Sequence, residues 1–221
     1  MSAADRSRRS SVPAVTARRE HHAPGGGSHG SAGRPQGYPA ELAVDVRFAD
    51  NRHVHIRPIL PSDAPTLAAA IAGADAETLR LRFLGWRPVL DDATLRYLVE
   101  VDYRRRLALV AFDSAGHGVG VARYEGGPDE AVAEIAVAVA PDWRGVGLGY
   151  RLLTMLGEAA VARGFRQFVA SYFVGNSDVE GLVKACGLPY RSQVSQGVVE
   201  VQLALPETAS LGPAVVPQPP A

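Results

Sequence analysis

The chain has 221 residues, enough for one domain that buries roughly 70% of the surface of the unfolded chain. Its formal net charge is zero at pH 7, so neither nucleic acid nor an anionic membrane is indicated as a partner, and no apolar run approaches the ~20 residues of a membrane span. A single cysteine, Cys186, excludes an internal disulfide and is typical of a reducing cytoplasm, and the presence of only one lysine, Lys184, indicates a bacterial genome.

The two ends of the chain differ in composition from its middle. Residues 1–37 are rich in Ser, Gly, Arg, Ala and His without periodicity, and residues 207–221 are rich in Pro and Ala. Such segments bury too little apolar surface to offset the entropy of ordering, so we expect two disordered tails around a domain at residues 38–206. An Arg- and Ser-rich start is also typical of a transit peptide, but the apolar segment of a signal peptide is not found after it.

The domain is predicted to begin with a β-hairpin. Residues 42–48 and 53–59 alternate between polar and apolar side chains, with turn residues between them. His53 and His55 share one strand face, but without a third ligand we interpret them as solvated histidines rather than a metal pair. No metal is expected.

Three helices and a longer series of strands follow. Ser62 is the predicted N-cap of the first helix, residues 75–84 form the second, and Asp91 or Asp92 caps the third. The later predicted strands are 107–112, 118–124, 132–140, 167–173, 190–195 and 198–205, with helices at 148–163 and 176–186. Hairpins surrounding one strand–helix–strand unit predict a mixed α/β sheet with helices on both faces.

The most informative segment is Arg144-Gly145-Val146-Gly147-Leu148-Gly149, between a strand and an amphipathic helix. Its glycines leave the first amides of the helix uncovered, and such amides bind phosphate or pyrophosphate with help from the helix dipole. The segment lacks the Gly-Lys-Ser/Thr of a P-loop and the G-x-G-x-x-G of a dinucleotide-binding fold. Its R-x-x-G-x-G pattern resembles the acetyl-CoA loop of the GNAT (Gcn5-related) N-acetyltransferases.

A second set of motifs lies in the first half of the domain. They are Tyr38-Pro39, His55-Ile56-Arg57-Pro58, Asp63-Ala64, Leu81-Arg82-Phe83-Leu84, Val101-Asp102-Tyr103-Arg104 and Leu107-Ala108-Leu109-Val110. These motifs resemble the GNAT domains of bacterial Pat-type protein lysine acetyltransferases. The resemblance implies a GNAT fold over about residues 42–206, with a mixed, mostly antiparallel central sheet flanked by helices.

Acyl transfer to an amine requires a group that removes a proton. A lysine-like amine has a pKa near 10.4, so only roughly one molecule in 10³ is neutral at pH 7, and a carboxylate in a dry cleft can take its proton. Glu134 is the candidate, because it shares a strand face with Ala136 and Ala138 while larger side chains point the other way. A bulge near Ala138 would change this alternation. An ordinary solvated glutamate is the alternative interpretation.

Three other carboxylates compete with Glu134 for this role. They are Asp129, Glu130 and, at the end of the neighbouring strand, Glu125. In Pat-type enzymes the glutamate at the position of Glu134 is the general base. The resemblance therefore implies the same role here.

The resemblance also implies how acetyl-CoA is held. Backbone groups of Val137, Ala138 and Val139 would pair with pantetheine, and one N–H would polarise the thioester carbonyl. The residues that would hold the pyrophosphate are Arg144, Gly145, Val146, Gly147, Leu148, Gly149 and Tyr150. Asn176 is either a CoA contact or a simple helix N-cap. The predicted helix at 176–186 contains no tyrosine, so the group that protonates the CoA thiolate stays unassigned.

The leading hypothesis is an acetyl-CoA-dependent N-acetyltransferase that acts on exposed lysine side chains of proteins. Transfer to a small-molecule amine and a non-catalytic acyl-CoA-binding module are the alternatives. Four arginines of the early helices, Arg80, Arg82, Arg87 and Arg96, favour an acidic surface around the target lysine. The identity of the acceptor, the preferred acyl chain and the oligomeric state stay open.

Overall fold

The structure is a computed structural model that describes residues 34–74, 76–82, 91–127, 129 and 131–207. Of the predicted tails at 1–37 and 207–221, residues 1–33 and 208–221 lie outside the described residues, as do Phe83, Leu84, Arg87 and Glu130. In the part of the chain that the structure describes, no helix is long and apolar enough to cross a membrane.

One sheet of eight strands runs through the domain. The strands are β1 (Val44–Arg47), β2 (His53–Pro58), β3 (Arg106–Asp113), β4 (Gly118–Gly126), β5 (Val132–Val139), β6 (Gln167–Phe173), β7 (Tyr190–Ser195) and β8 (Val198–Ala204). Their order across the sheet is β1-β2-β3-β4-β5-β6-β8-β7, and β5 and β6 are the one parallel pair among the described strands. Hairpins pair antiparallel, whereas β5 and β6 need a crossover helix between them.

Helices cover both faces of this sheet, as predicted. They are α1 (Ala64–Gly73), α2 (Ala76–Arg82), α3 (Asp92–Val99), α4 (Leu148–Ala162) and α5 (Ser177–Ala185). On β3, Leu107 and Leu109 pack in the core that contains α4, whereas Ala108 and Val110 pack on the opposite face with Val99 of α3. This division follows from the alternation of side chains along a strand.

Close packing of α4 on the sheet depends on a glycine. A Cβ atom at Gly120 would lie 3.0 Å from Cδ1 of Leu152 and 3.2 Å from Cδ2 of Leu148. Both leucines are fully buried, so a larger residue at this position would push the start of α4 away from β4. Because α4 follows the glycine-rich segment directly, Gly120 helps to fix the position of that segment.

The predicted cap of the first helix is wrong. The N-cap of α1 is Asp63 rather than Ser62, and its side chain makes no hydrogen bond to the helix. The Asp63 carboxylate instead closes the short turn before α1, which begins after Leu60. Asp63 accepts the Leu60 N–H at 2.7 Å and pairs with Arg57 through two contacts of 2.7 Å. For the third helix, the structure selects Asp91, which accepts the Thr94 N–H at 2.8 Å.

Candidate active site

The parallel strands β5 and β6 part in the middle of the sheet. Their described pairing covers only three positions, from Val132 with Gln167 to Glu134 with Val169. Beyond Glu134, β5 continues to Val139 and β6 to Phe173. The edge of β5 that carries residues 137–139 therefore faces an opening in which an extended ligand can pair like an added strand.

The glycine-rich segment lies at the end of β5 and leads into α4. Gly145 and Gly147 have positive φ angles of 74° and 94°, a backbone conformation that glycine adopts without a Cβ penalty. The Arg151 N–H donates to the Gly147 carbonyl at 2.9 Å and begins the helical ladder. The preceding amides of Leu148, Gly149 and Tyr150 consequently have no acceptor within the helix.

The β1–β2 hairpin supports this segment from the side. The ring of Phe48 lies 6.4 Å from that of Trp143, and the Arg52 guanidinium lies 4.9 Å from the Trp143 ring centroid. Arg52 also donates a hydrogen bond to the carbonyl of Asp142. Sequence reasoning did not find this support, although the aromatic residue directly before Arg144 was a local signal.

The side chain of Arg144 connects the segment to the elements around it. Its Nη1 lies 3.8 Å from Oδ2 of Asp178 on α5, and its Nε donates to the Val139 carbonyl at 3.4 Å. Asn176 accepts the Val179 N–H at 3.2 Å, so its N-cap role is present in the structure. The predicted donor-site residues on β5, in the segment and at the start of α5 thus lie close together.

An open cavity of about 370 Å³ adjoins the start of α5. Its lining includes Arg80 and Leu81 of α2 together with Phe173 and Asn176. The Arg80 guanidinium lies 4.9 Å from the ring centroid of Phe173. The cavity therefore lies between α2 and the connection from β6 to α5.

Glu134 is exposed on the face of the sheet opposite α4. Ala133 and Ile135 beside it are buried, and the pairing of β4 with β5 runs from Gly120–Val139 to Gly126–Ala133 without a shift. The predicted alternation is therefore present, and no bulge alters it.

The carboxylates that compete with Glu134 have other contacts. Glu125 accepts a hydrogen bond from the Tyr97 hydroxyl and lies 3.8 Å from Nε of Arg106. Asp129 accepts the Ala131 N–H at 2.9 Å in the turn before β5. Among the residues that the structure describes, no group of three His, Cys, Asp or Glu side chains could hold a metal ion.

A sheet that opens beside uncovered amides at a helix start can hold an extended ligand that ends in a phosphate or pyrophosphate, as an acyl-CoA donor does. The chain belongs to the acetyltransferase (GNAT) family, whose pattern matches residues 76–188. It is therefore a GNAT acetyltransferase, and acetyl-CoA is the donor that this family uses.

Three similar proteins refine this assignment. Acetyltransferase PA5475 of Pseudomonas aeruginosa is 33% identical over 141 residues, which cover 62% of this chain and 76% of that protein. Acetyltransferase Pat of Mycolicibacterium smegmatis is 27% identical over 79% of this chain, and the match spans only 53% of Pat. The crystal structure of the GNAT domain of S. lividans PAT superposes with a TM-score of 0.70 at 25% identity, covering 76% of this chain and 99% of that domain.

Proposed function

We propose that this protein transfers the acetyl group of acetyl-CoA to lysine side chains of proteins, with Glu134 as general base. The observation that carries the proposal is the position of Glu134, exposed on β5 at the last described pair before β5 and β6 part. The similarity to the GNAT domain of a Pat protein supports lysine as the acceptor. We also propose that the protein is cytoplasmic, because its single cysteine is typical of a reducing compartment, and that residues 38–206 form the catalytic domain.

The chemistry begins with the amine of the acceptor. Glu134 accepts a proton from the lysine ammonium, directly or through one water, which frees the nitrogen lone pair. The nitrogen attacks the thioester carbonyl carbon, the C–S bond breaks to release the CoA thiolate, and the acetylated nitrogen loses its second proton to solvent as the neutral amide forms. The released CoA thiolate then takes a proton from a donor that is not assigned to a side chain.

Donor binding relies on backbone groups more than on side chains. We assign the pyrophosphate to the amides of residues 145–150 and to the charge of Arg144, because positive φ angles and a helix start expose these amides. The edge of β5 at Val137, Ala138 and Val139 receives the pantetheine, and one N–H there polarises the thioester carbonyl. Asn176 contributes a CoA contact in addition to its cap.

Transfer of radiolabel from acetyl-CoA into a deacetylase-treated bacterial lysate tests the proposal. Label in the protein fraction that disappears with Glu134→Gln supports a protein acetyltransferase. Label confined to the small-molecule fraction would instead assign a small amine as the acceptor. CoA binding without transfer to any amine would assign an acyl-CoA-binding module.

A further inference from the structure

Arg123 on β4 has a buried guanidinium nitrogen without a partner. Its Nη2 is inaccessible to solvent and makes no hydrogen bond among the residues that the structure describes. A buried charged donor without an acceptor is costly, because it has lost its water and gained nothing in exchange. Most buried polar atoms are hydrogen-bonded to protein or to ordered water, and an exception calls for an explanation such as a role in the site.

The carboxylate nearest to Arg123 along the strand is already engaged. Glu125 accepts from the Tyr97 hydroxyl and lies 3.8 Å from Nε of Arg106, whose guanidinium stacks 3.8 Å from the Tyr97 ring centroid. Arg106 also donates to the Tyr97 and Glu100 carbonyls. Nε of Arg106, at 3.8 Å from Glu125, is too distant for a hydrogen bond, and among the described residues it is buried without one, like Nη2 of Arg123.

The electrostatics of the cluster agree with this account. Burial lowers the pKa of Arg123, and the neighbouring charge of Arg106 lowers it further, while Glu125 and Tyr97 act in the opposite direction but do not compensate. A second negative charge beside Arg123 would restore the balance.

Arg123 lies beside the proposed base. Its cross-strand partner on β5 is Ala136, which is two residues from Glu134 on the same face. Arg123 and Glu134 are therefore diagonal neighbours, with Cα atoms about 7–8 Å apart. Its partner on β3 is Ala108, so small side chains flank it on both sides. An acceptor amine at Glu134 would therefore bind on the sheet face that also carries Arg123.

We propose that Arg123 binds a carboxylate of the acceptor, and that the enzyme therefore selects amines that carry a carboxylate close to the reacting nitrogen. This inference rests on the proposed function, because it places the acceptor at Glu134. The carboxylate has two sources, an acidic side chain next to a target lysine or the α-carboxylate of a free amino acid. Arginine suits either one, since its planar guanidinium donates two parallel hydrogen bonds to a carboxylate.

Substrate pairs that differ only in the carboxylate test the proposal with the unaltered protein. One pair is a blocked peptide with a single lysine between two aspartates and the same peptide with asparagines. The other pair is a mixture of α-amino acids and the matched mixture of their amides. We expect kcat/KM to be about 10- to 100-fold higher for the carboxylate member of at least one pair. Equal kcat/KM within both pairs would overturn the proposal.

Variants of Arg123 separate binding from a structural role. Arg123→Gln should remove the preference by slowing the carboxylate member alone, and Arg123→Lys should retain part of it. An equal loss on both members of a pair would assign Arg123 to the fold and overturn the proposal. The peptide pair and the amino-acid pair also distinguish the proposed lysine acetylation from the proposed carboxylate binding by Arg123. A preference found only with amino acids would contradict lysine acetylation and would still support the role of Arg123.

Discussion

Glu125 and Glu134 lie directly opposite each other on β4 and β5, with both side chains on the same face of the sheet. Like charges at directly opposed positions destabilise a sheet. The Tyr97 hydroxyl and the Arg106 guanidinium offset this repulsion at Glu125. Tyr97 and Arg106 thus contact the Glu125 carboxylate, and Glu134 lies at the last described pair before β5 and β6 part.

This pair of glutamates provides a matched test of the general base. Glu134→Gln should lower kcat by about 10²- to 10⁴-fold, because the amide cannot accept the amine proton. Glu125→Gln, one strand away on the same face, should change kcat by less than about tenfold. The KM for acetyl-CoA should stay near its original value in both variants, and steady-state release of CoA measures all four values. If Glu125→Gln were the slower enzyme, the roles of the two glutamates would have to be exchanged.

Gly147 and Gly164 offer a matched pair for the donor site. Both have φ angles of 94°, so alanine at either position costs about 1–2 kcal/mol of backbone strain. Gly147→Ala should also raise the KM for acetyl-CoA by about tenfold or more, because relief of the strain moves the amides that we assign to pyrophosphate. Gly164→Ala, whose Cβ would meet no atom within 4 Å, should lose stability only. If Gly147→Ala and Gly164→Ala had equal KM values for acetyl-CoA, Gly147 would not belong to the donor site.

Asn176 is predicted to have two separable roles. Asn176→Ala removes the acceptor of the Val179 N–H and should lower the free energy of unfolding by about 1 kcal/mol. Asn176→Asp keeps the cap, and therefore the stability, but adds a negative charge where we expect CoA. Thermal unfolding measures the loss of stability in Asn176→Ala, and the KM for acetyl-CoA measures the effect of the added charge in Asn176→Asp. A normal KM in Asn176→Asp would leave Asn176 as a cap alone.

The ion pair between Arg57 and Asp63 should contribute strongly to stability. The Asp63 side chain is 9% exposed, and Arg57 packs 4.7 Å from the Phe112 ring centroid. Asp63→Ala would leave Arg57 half-buried without its partner and should cost about 2–4 kcal/mol in urea unfolding. Asp45→Ala is the control, because its carboxylate also lies 2.7 Å from a partner, His55, but is 89% exposed. Its cost should stay below about 0.5 kcal/mol, and similar losses in both variants would contradict this prediction.

Asp102 should make stability depend on pH at acidic values. Partial burial raises the pKa of Asp102. The backbone N–H groups of Arg104, Arg105 and Arg106 each donate a hydrogen bond of 2.8 Å to its carboxylate. These hydrogen bonds outweigh the effect of burial and hold the pKa of Asp102 below its usual value of 3.8. A depressed folded-state pKa stabilises the protein above pH 3.8, and this contribution is lost as the pH falls through the folded-state pKa. Asp102→Asn should therefore be less stable than the original protein at pH 7, and the difference should shrink below about pH 3.8. Urea unfolding of both proteins at pH 7 and below about pH 3.8 measures this difference in stability. A difference that did not change with pH would contradict the ionic explanation.

Local patterns explain why the strands and the glycine-rich segment could be predicted. Alternation along β5 assigns Glu134 and Ile135 to opposite faces without reference to the rest of the chain, and the positive φ of Gly147 depends on its own missing Cβ. The cap of the first helix could not be predicted in the same way. Ser62 is a good cap by residue type, but α1 begins after Asp63, whose carboxylate is held by Arg57 on β2 and by the Leu60 N–H instead of capping the helix.

The amino-acid sequence by itself predicted the fold family, through motifs that resemble a known family, and the order of the elements, through patterns that depend on neighbours within a few residues. The donor role of the glycine-rich segment stays a prediction. The tertiary structure alone decided the surroundings of Arg123. In the sequence, this arginine alternates with buried residues and is typical of a solvated strand position, yet Arg106 and Tyr97 reach it from β3 and α3. Burial and charge balance arise from segments distant in the chain, so they exist only once the sheet and its helices have packed together.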